Sequence, residues 1–159
     1  MSPPPHFYHQ GVVMDLGAML WNWNESLRLG RVVDGTGVTF DLDEVVIPDI
    51  MWISNERVAT ALRPNGQIDD APELVIEVLS PGKTNERRDR VAKLALYSRR
   101  GVDEYWIVNW QARNIEIYRR SGADLQLART MLENEVLESS LLPGFTCPVS
   151  KIFFNIPIE

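Results

Sequence analysis

Glu77 is the one polar side chain in the run Leu74-Val75-Ile76-Glu77-Val78-Leu79. A carboxylate among aliphatic neighbours is rarely left unpaired, because low dielectric disfavours its charge. Either a structural cation or a strand end open to water compensates it, or it serves as a metal ligand or catalytic acid. Asp49 follows Pro48 in the apolar run from Val45 to Ile53. Proline removes a ladder donor there, so a bulge, bend or edge is expected. Asp after proline is commonly a turn residue. On a strand beside Glu77 it could instead share a divalent ion, since Mg²⁺ takes oxygen ligands, commonly one or two carboxylates plus waters. Two such acids repel each other unless a cation is present.

Asp89, Lys93 and Tyr97 follow at intervals of four, which puts them on one face of a helix. Asp ahead of Lys at that spacing makes a solvated ion pair worth about 0.2–0.5 kcal/mol. Turned toward the sheet, Lys93 could instead neutralise Glu77 and polarise an attacking water. Arg87, Arg88, Arg90, Arg99 and Arg100 make this helix the densest basic cluster of the chain. Such a cluster is either a solvated face or a meeting place for phosphates. His6 and His9 lack metal-type spacing to each other or to Cys147, and the sequence holds no phosphate-binding glycine loop, zinc motif or Ser-His-Asp set. The five tryptophans read as core or interface anchors, and the aromatic run from Tyr105 to Trp110 favours a homodimer.

The elements that must position these residues are legible in outline. Pro3 to Pro5 form an extended lead-in. Val12, Val13, Leu16, Leu20, Trp23 and Leu27 mark an amphipathic helix that is expected to stop at Gly30. Runs at Arg31–Val33 and Val38–Leu42 flank Asp34-Gly35, a hairpin signal. After a polar connection from Ser54 to Pro72, with a helical turn near Arg57 to Leu62, Leu74 to Leu79 reads as a central strand apolar on both faces. A helix is expected from about Asn85 to Arg100, with Thr84 or Asn85 as N-cap and Gly101 as stop. Strands follow at Glu104–Trp110, Asn114–Arg119, Leu125–Thr130 and Val136–Leu137, with a last helical turn from Pro148 through Phe153. The order predicts an α/β fold, a sheet flanked by two main helices.

Composition narrows the function. The chain has 159 residues, 45% hydrophobic and 24% charged, which suits one globular domain rather than disorder. Sixteen basic against twenty-two acidic residues give −6, so any nucleic-acid contact must come from a local basic patch. The single cysteine excludes an intramolecular disulfide framework and suits a reducing compartment. No apolar run approaches the ~18 residues of a membrane span, and Met1 to His6 do not form a signal peptide. A cytoplasmic protein is expected.

Together the motifs resemble a known family. Val46-Ile47-Pro48-Asp49, Ala71-Pro72-Glu73 through Ser80-Pro81, Asp89 with Lys93 and Tyr97, and Gly101-Val102-Asp103-Glu104-Tyr105-Trp106-Ile107-Val108 resemble the Uma-two family of the PD-(D/E)XK nuclease superfamily. His9 is similar to the histidine that opens that family's long helix, and Leu142-Pro143-Gly144-Phe145 to its tail. The resemblance implies a restriction-endonuclease-like fold, a mixed β-sheet flanked by helices (α+β), as a single domain over 1–159. It implies a Mg²⁺- or Mn²⁺-dependent endonuclease acting on DNA, with Asp49 and Glu77 as metal ligands, Lys93 as the third catalytic residue, and Asp89, Tyr97 and His9 in support. The superfamily's lysine, two residues after the second acid, is Leu79 here, so the resemblance moves its role to Lys93. The family's upstream strand, with its Tyr-Glu, its Gly and a further acid, has no counterpart before Met1, so a shortened form or a displaced start is expected. The rival expectation is a nuclease fold with an incomplete site, used for binding or dimerisation. An RNA-directed nuclease is a third.

Overall fold

A computed structural model describes residues 3–158; Met1 and Ser2, where the expected start falls, and Glu159 lie outside the described residues. Helix α1 (Phe7–Leu27) opens where His6 Nδ1 accepts the Tyr8 amide at 3.1 Å. It buries His9, Val12, Leu16 and Leu20, so the stripe read from the aliphatic residues extends back to a histidine. The helix ends on Arg28 in the left-handed region (φ 49°), not at Gly30. Gly30 instead begins β1 (Gly30–Asp34), where a Cβ would strike the Ile53 carbonyl oxygen and come within 2.8 Å of the Trp52 ring.

The expected hairpin across Asp34-Gly35 does not form. β1 pairs antiparallel with β4 (Ile50–Ser54), while β2 (Val38–Asp41) pairs with β3 (Glu44–Val46) as a separate two-stranded ribbon. The turn itself is present, with Gly35 at φ 56°, but no local signal tells a strand which distant partner buries its apolar face. Pro48 lies in the gap between β3 and β4, separating strands of different sheets. The short helix α2 (Asn55–Ala61) is capped by the Ser54 hydroxyl.

β5 (Leu74–Val78) is central, antiparallel to β4 and parallel to β6 (Glu104–Asn109). Parallel neighbours need a crossover, and the helical segment after β5 supplies it. That segment is not one regular helix. It runs as α3 (Lys83–Arg87), a π-helical turn (Arg88–Lys93) and α4 (Leu94–Arg100). Neither Thr84 nor Asn85 caps it; Gly82 stands at the N-cap with no side-chain bond, and Gly101 ends it at φ 88°. β7 (Asn114–Ser121) and β8 (Asp124–Leu132) complete a six-stranded sheet in the order β1-β4-β5-β6-β7-β8. β9 (Val136–Glu138) and β10 (Thr146–Pro148), the latter not read from the sequence, form a second ribbon before α5 (Val149–Phe153).

The mixed sheet is covered on both faces, the restriction-endonuclease-like arrangement. Leu74, Ile76 and Val78 pack with α1 and α5; Val75 and Leu79 pack with Tyr97, Tyr105 and Ile107 under α4. The Tyr105–Trp110 run is inside the protomer, with Tyr105, Trp106, Ile107 and Val108 fully buried, so this strand presents no face to a second copy. Among the described residues no helix is long and apolar enough to cross a membrane.

Candidate active site

The pleat of β5 places Glu77 on the α4 side of the sheet, between the apolar side chains of Val75 and Leu79. The β4–β5 register pairs Ile50 with Ile76, and carried on by one residue it sets Asp49 opposite Glu77. The Asp49 amide donates to Glu77 Oε2 at 3.4 Å, and the Val78 amide donates to Asp49 Oδ2 at 2.8 Å. Pro48 releases the chain from the β3 ribbon just before this point, so Asp49 can turn its carboxylate along β5.

Glu77 is 2% exposed, and its Oε1 accepts from the Lys93 ammonium at 2.9 Å and the Tyr97 hydroxyl at 2.8 Å. Lys93 Nζ also lies 3.3 Å from Oδ1 of Asp89, itself 1% exposed. The helix therefore turns its acid and lysine to the sheet, not to solvent. Both residues lie within the π turn, and such turns often mark functional sites. Tyr105 on β6 donates its hydroxyl to the Asp89 carbonyl at 3.0 Å and pins the turn.

His9 reaches the site from α1. Its Nε2 donates to the Val78 carbonyl at 2.8 Å and lies 3.3 Å from Asp49 Oδ2, while Nδ1 faces Gln10 Oε1 at 2.8 Å. All six residues expected at the site are thus brought together: Asp49, Glu77, Lys93, Asp89, Tyr97 and His9. The contributions of Tyr105, Gln10 and the Val78 backbone escape sequence reasoning, because a buried tyrosine, a helix-surface glutamine and a peptide group carry no compositional signal. The basic cluster resolves differently. Arg90 is held by Glu86 and Glu116, Arg99 by Glu44, and Arg100 by Glu44, so these three are structural pairs.

Burial, with the Asp49 and Asp89 charges adding to it against the opposing pull of Lys93, lifts the Glu77 carboxyl to about 7. Burial pulls Lys93 down, but Glu77 and Asp89 outweigh it and its pKa is raised. For Asp49, burial is overcome by the bonds from His9 and the Val78 amide and by the His9 and Lys93 charges, so its pKa is lowered. Burial likewise opposes His9, whose pKa is nonetheless raised by Asp49, Gln10 and the Val78 carbonyl. Tyr97 is pushed far above its ordinary value by burial and by Glu77, so it is a hydrogen-bond donor only.

The donor set suits a hard cation. Asp49 Oδ2 is engaged by protein donors while its Oδ1 meets none among the described residues, and Glu77 Oε2 has only the long Asp49 amide contact. Each acid thus keeps one oxygen for an ion that takes its remaining ligands from water, the habit of Mg²⁺. Among the described residues no group of three or more His, Cys, Asp or Glu side chains is arranged to hold a metal, so the protein would supply two side-chain ligands.

A protein-family model described as "Uma2: Putative restriction endonuclease" matches residues 1–150. The fold is similar to the crystal structure of "a putative nuclease belonging to DUF820" from Anabaena variabilis ATCC 29413, with a TM-score of 0.75 and 17% identity. That match covers 97% of this chain and 84% of the other. The type IIG restriction endonuclease BpuSI matches at a TM-score of 0.49 and 15% identity, over 97% of this chain and 16% of that one. No curated protein matches.

Proposed function

Since this chain belongs to the Uma2 family, we propose that it is a metal-dependent endonuclease hydrolysing DNA phosphodiester bonds. The observation that carries this is the pair of acids on adjacent strands, each with an oxygen left over, joined to a buried lysine through Glu77. Asp49 and Glu77 would hold Mg²⁺ or Mn²⁺. When bound, such an ion supplies positive charge to the phosphate and acidifies a water. Lys93, kept protonated by Glu77 and Asp89, acts as a donor that orients the attacking water or a phosphate oxygen rather than as a base. Tyr97 fixes the Glu77 carboxylate from the other side, and Asp89 holds Lys93 in line. His9 ties Asp49 to the Val78 carbonyl and so sets the spacing of the two acids.

The same reading takes 1–159 as one nuclease unit, in the cytoplasm, where its lone buried Cys147 stays reduced. It includes a homodimer, which sedimentation equilibrium of the full chain tests. Cleavage of supercoiled and linear DNA with Mn²⁺ or Mg²⁺ tests the activity. Metal-dependent nicking lost in both Glu77→Ala and Lys93→Ala is the expected result, and a structured RNA in parallel decides between nucleic acids. One feature favours a second reading, a binding module: Lys93 and His9 each set a cationic or donor group against one of the two acids without an ion. Wild-type protein that binds DNA but never nicks it, with any divalent ion, would select that alternative.

A further inference from the structure

Carboxylates divide most cations of the helical segment between Lys83 and Arg100 into two groups. Arg90, Arg99 and Arg100 are held by Glu86, Glu116 and Glu44, at positions away from the acid pair. Lys83 and Arg87 are exposed and meet no carboxylate among the described residues. Arg88 belongs to neither group. Its side chain is 50% exposed, yet Nε lies 3.3 Å from Oδ1 of Asp89, the atom that also meets Lys93 at 3.3 Å. One buried carboxylate oxygen thus links the ammonium on Glu77 to a guanidinium that opens to water.

A single long contact to a half-exposed arginine adds little stability, and setting a second cation beside Lys93 is repulsive. An anion docking there would relieve that repulsion. Arginine's planar fork keeps its terminal nitrogens free for two parallel bonds to a phosphate, and among the described residues neither terminal nitrogen of Arg88 has a protein partner. We infer that Arg88 docks a DNA backbone phosphate at the mouth of the acid site, with Lys83 and Arg87 adding charge along the same helix. This rests on the nuclease reading and names the edge by which an acidic protein, net −6, meets a polyanion.

The test is equilibrium binding of a short labelled DNA duplex in Ca²⁺ across a range of salt, with thermal melting as a folding control. Each phosphate contact contributes about 0.9 to the log–log salt slope. Arg88→Ala should lower the slope by about that amount and weaken binding about tenfold. Arg88→Lys should keep the slope but recover only part of the affinity, because it restores charge without the fork. Joint replacement of Lys83 and Arg87 by alanine should lower the slope further, and Arg99→Ala, whose partner is Glu44, should leave it unchanged. A wild-type slope in Arg88→Ala overturns the inference while leaving the nuclease reading in place. Wild-type protein that shows no salt-dependent binding at all overturns both.

Discussion

Glu77 is costly to the fold as an anion and useful to the site for the same reason. With its carboxyl lifted to about 7 from an ordinary 4.5, the folded chain holds a proton that the unfolded chain has released, so between those values stability falls as pH rises. His9 acts in the same direction. Its raised pKa means that its contribution is complete below the unfolded value near 6.5 and is lost as pH climbs through the folded one. The melting temperature of the metal-free protein should therefore fall from about pH 5 to about pH 8, and Glu77→Gln should flatten most of that slope in calorimetry. A wild-type curve already flat would sink the account. Lys93→Met sharpens the point. Removing one member of a buried pair costs about 3–5 kcal/mol when its partner stays charged. Here Glu77 can take up a proton and Asp89 keeps its contact to Arg88, so the loss should be smaller near pH 5 than above neutrality. Denaturant titrations at two pH values measure it.

At the scale of the element, the π turn at Arg88–Lys93 is what a plain helical reading of 85–100 leaves out. Intervals of four suggested one face, and the face is real. Within that turn Asp89 is 1% exposed and Lys93 reaches Glu77. Removing the exposed Ala92 would replace the wide turn with an ordinary one and shift Asp89 along the helix relative to Lys93 and Tyr105. The bond from Tyr105 to the Asp89 carbonyl would be lost, at about 1–3 kcal/mol. Nicking should disappear while far-UV circular dichroism stays native; a variant that still cuts would show the turn to be incidental. β1 offers a sharper structural check. Gly30→Ala drives a methyl group into the Ile53 backbone and the Trp52 ring, so it should cost near the top of the usual 1–3 kcal/mol for overpacking, about 3 kcal/mol. The shift in the urea midpoint reads it.

Across the whole molecule, the acid pair sits where the two apolar layers meet. α1 and α5 cover one face of the sheet, α4 the other, and the site draws His9 from the first layer and Lys93 from the second across the end of β5. An ion bound there would tie both layers to the central strand, and only in the folded chain. At a concentration a hundred times its Kd, such a ligand adds about 2.7 kcal/mol, a rise in Tm of about 5–10 °C for a chain of this size. Mn²⁺ should produce that rise, and Asp49→Ala should abolish it. Equal stabilisation of both proteins would place the ion elsewhere.

Several features follow from local chemistry alone. A glutamate in an aliphatic run had to be compensated, Gly101 had to end a helix, and intervals of four had to put Asp89, Lys93 and Tyr97 on one face. The order of motifs was enough to identify the family. Tertiary structure decided which strand lies beside which. Asp34-Gly35 is a sound turn signal, yet β1 crosses to β4, because pairing depends on which surface buries the apolar face and not on the residues of the turn. The same long-range pairing sets Asp49 against Glu77, a register that neither strand encodes alone. It also decided which arginines find carboxylates, since Glu44 and Glu116 reach the helix only once the β2–β3 ribbon and β7 have packed against it. Arg88 was one basic residue among five until the fold engaged Arg90, Arg99 and Arg100 with carboxylates elsewhere.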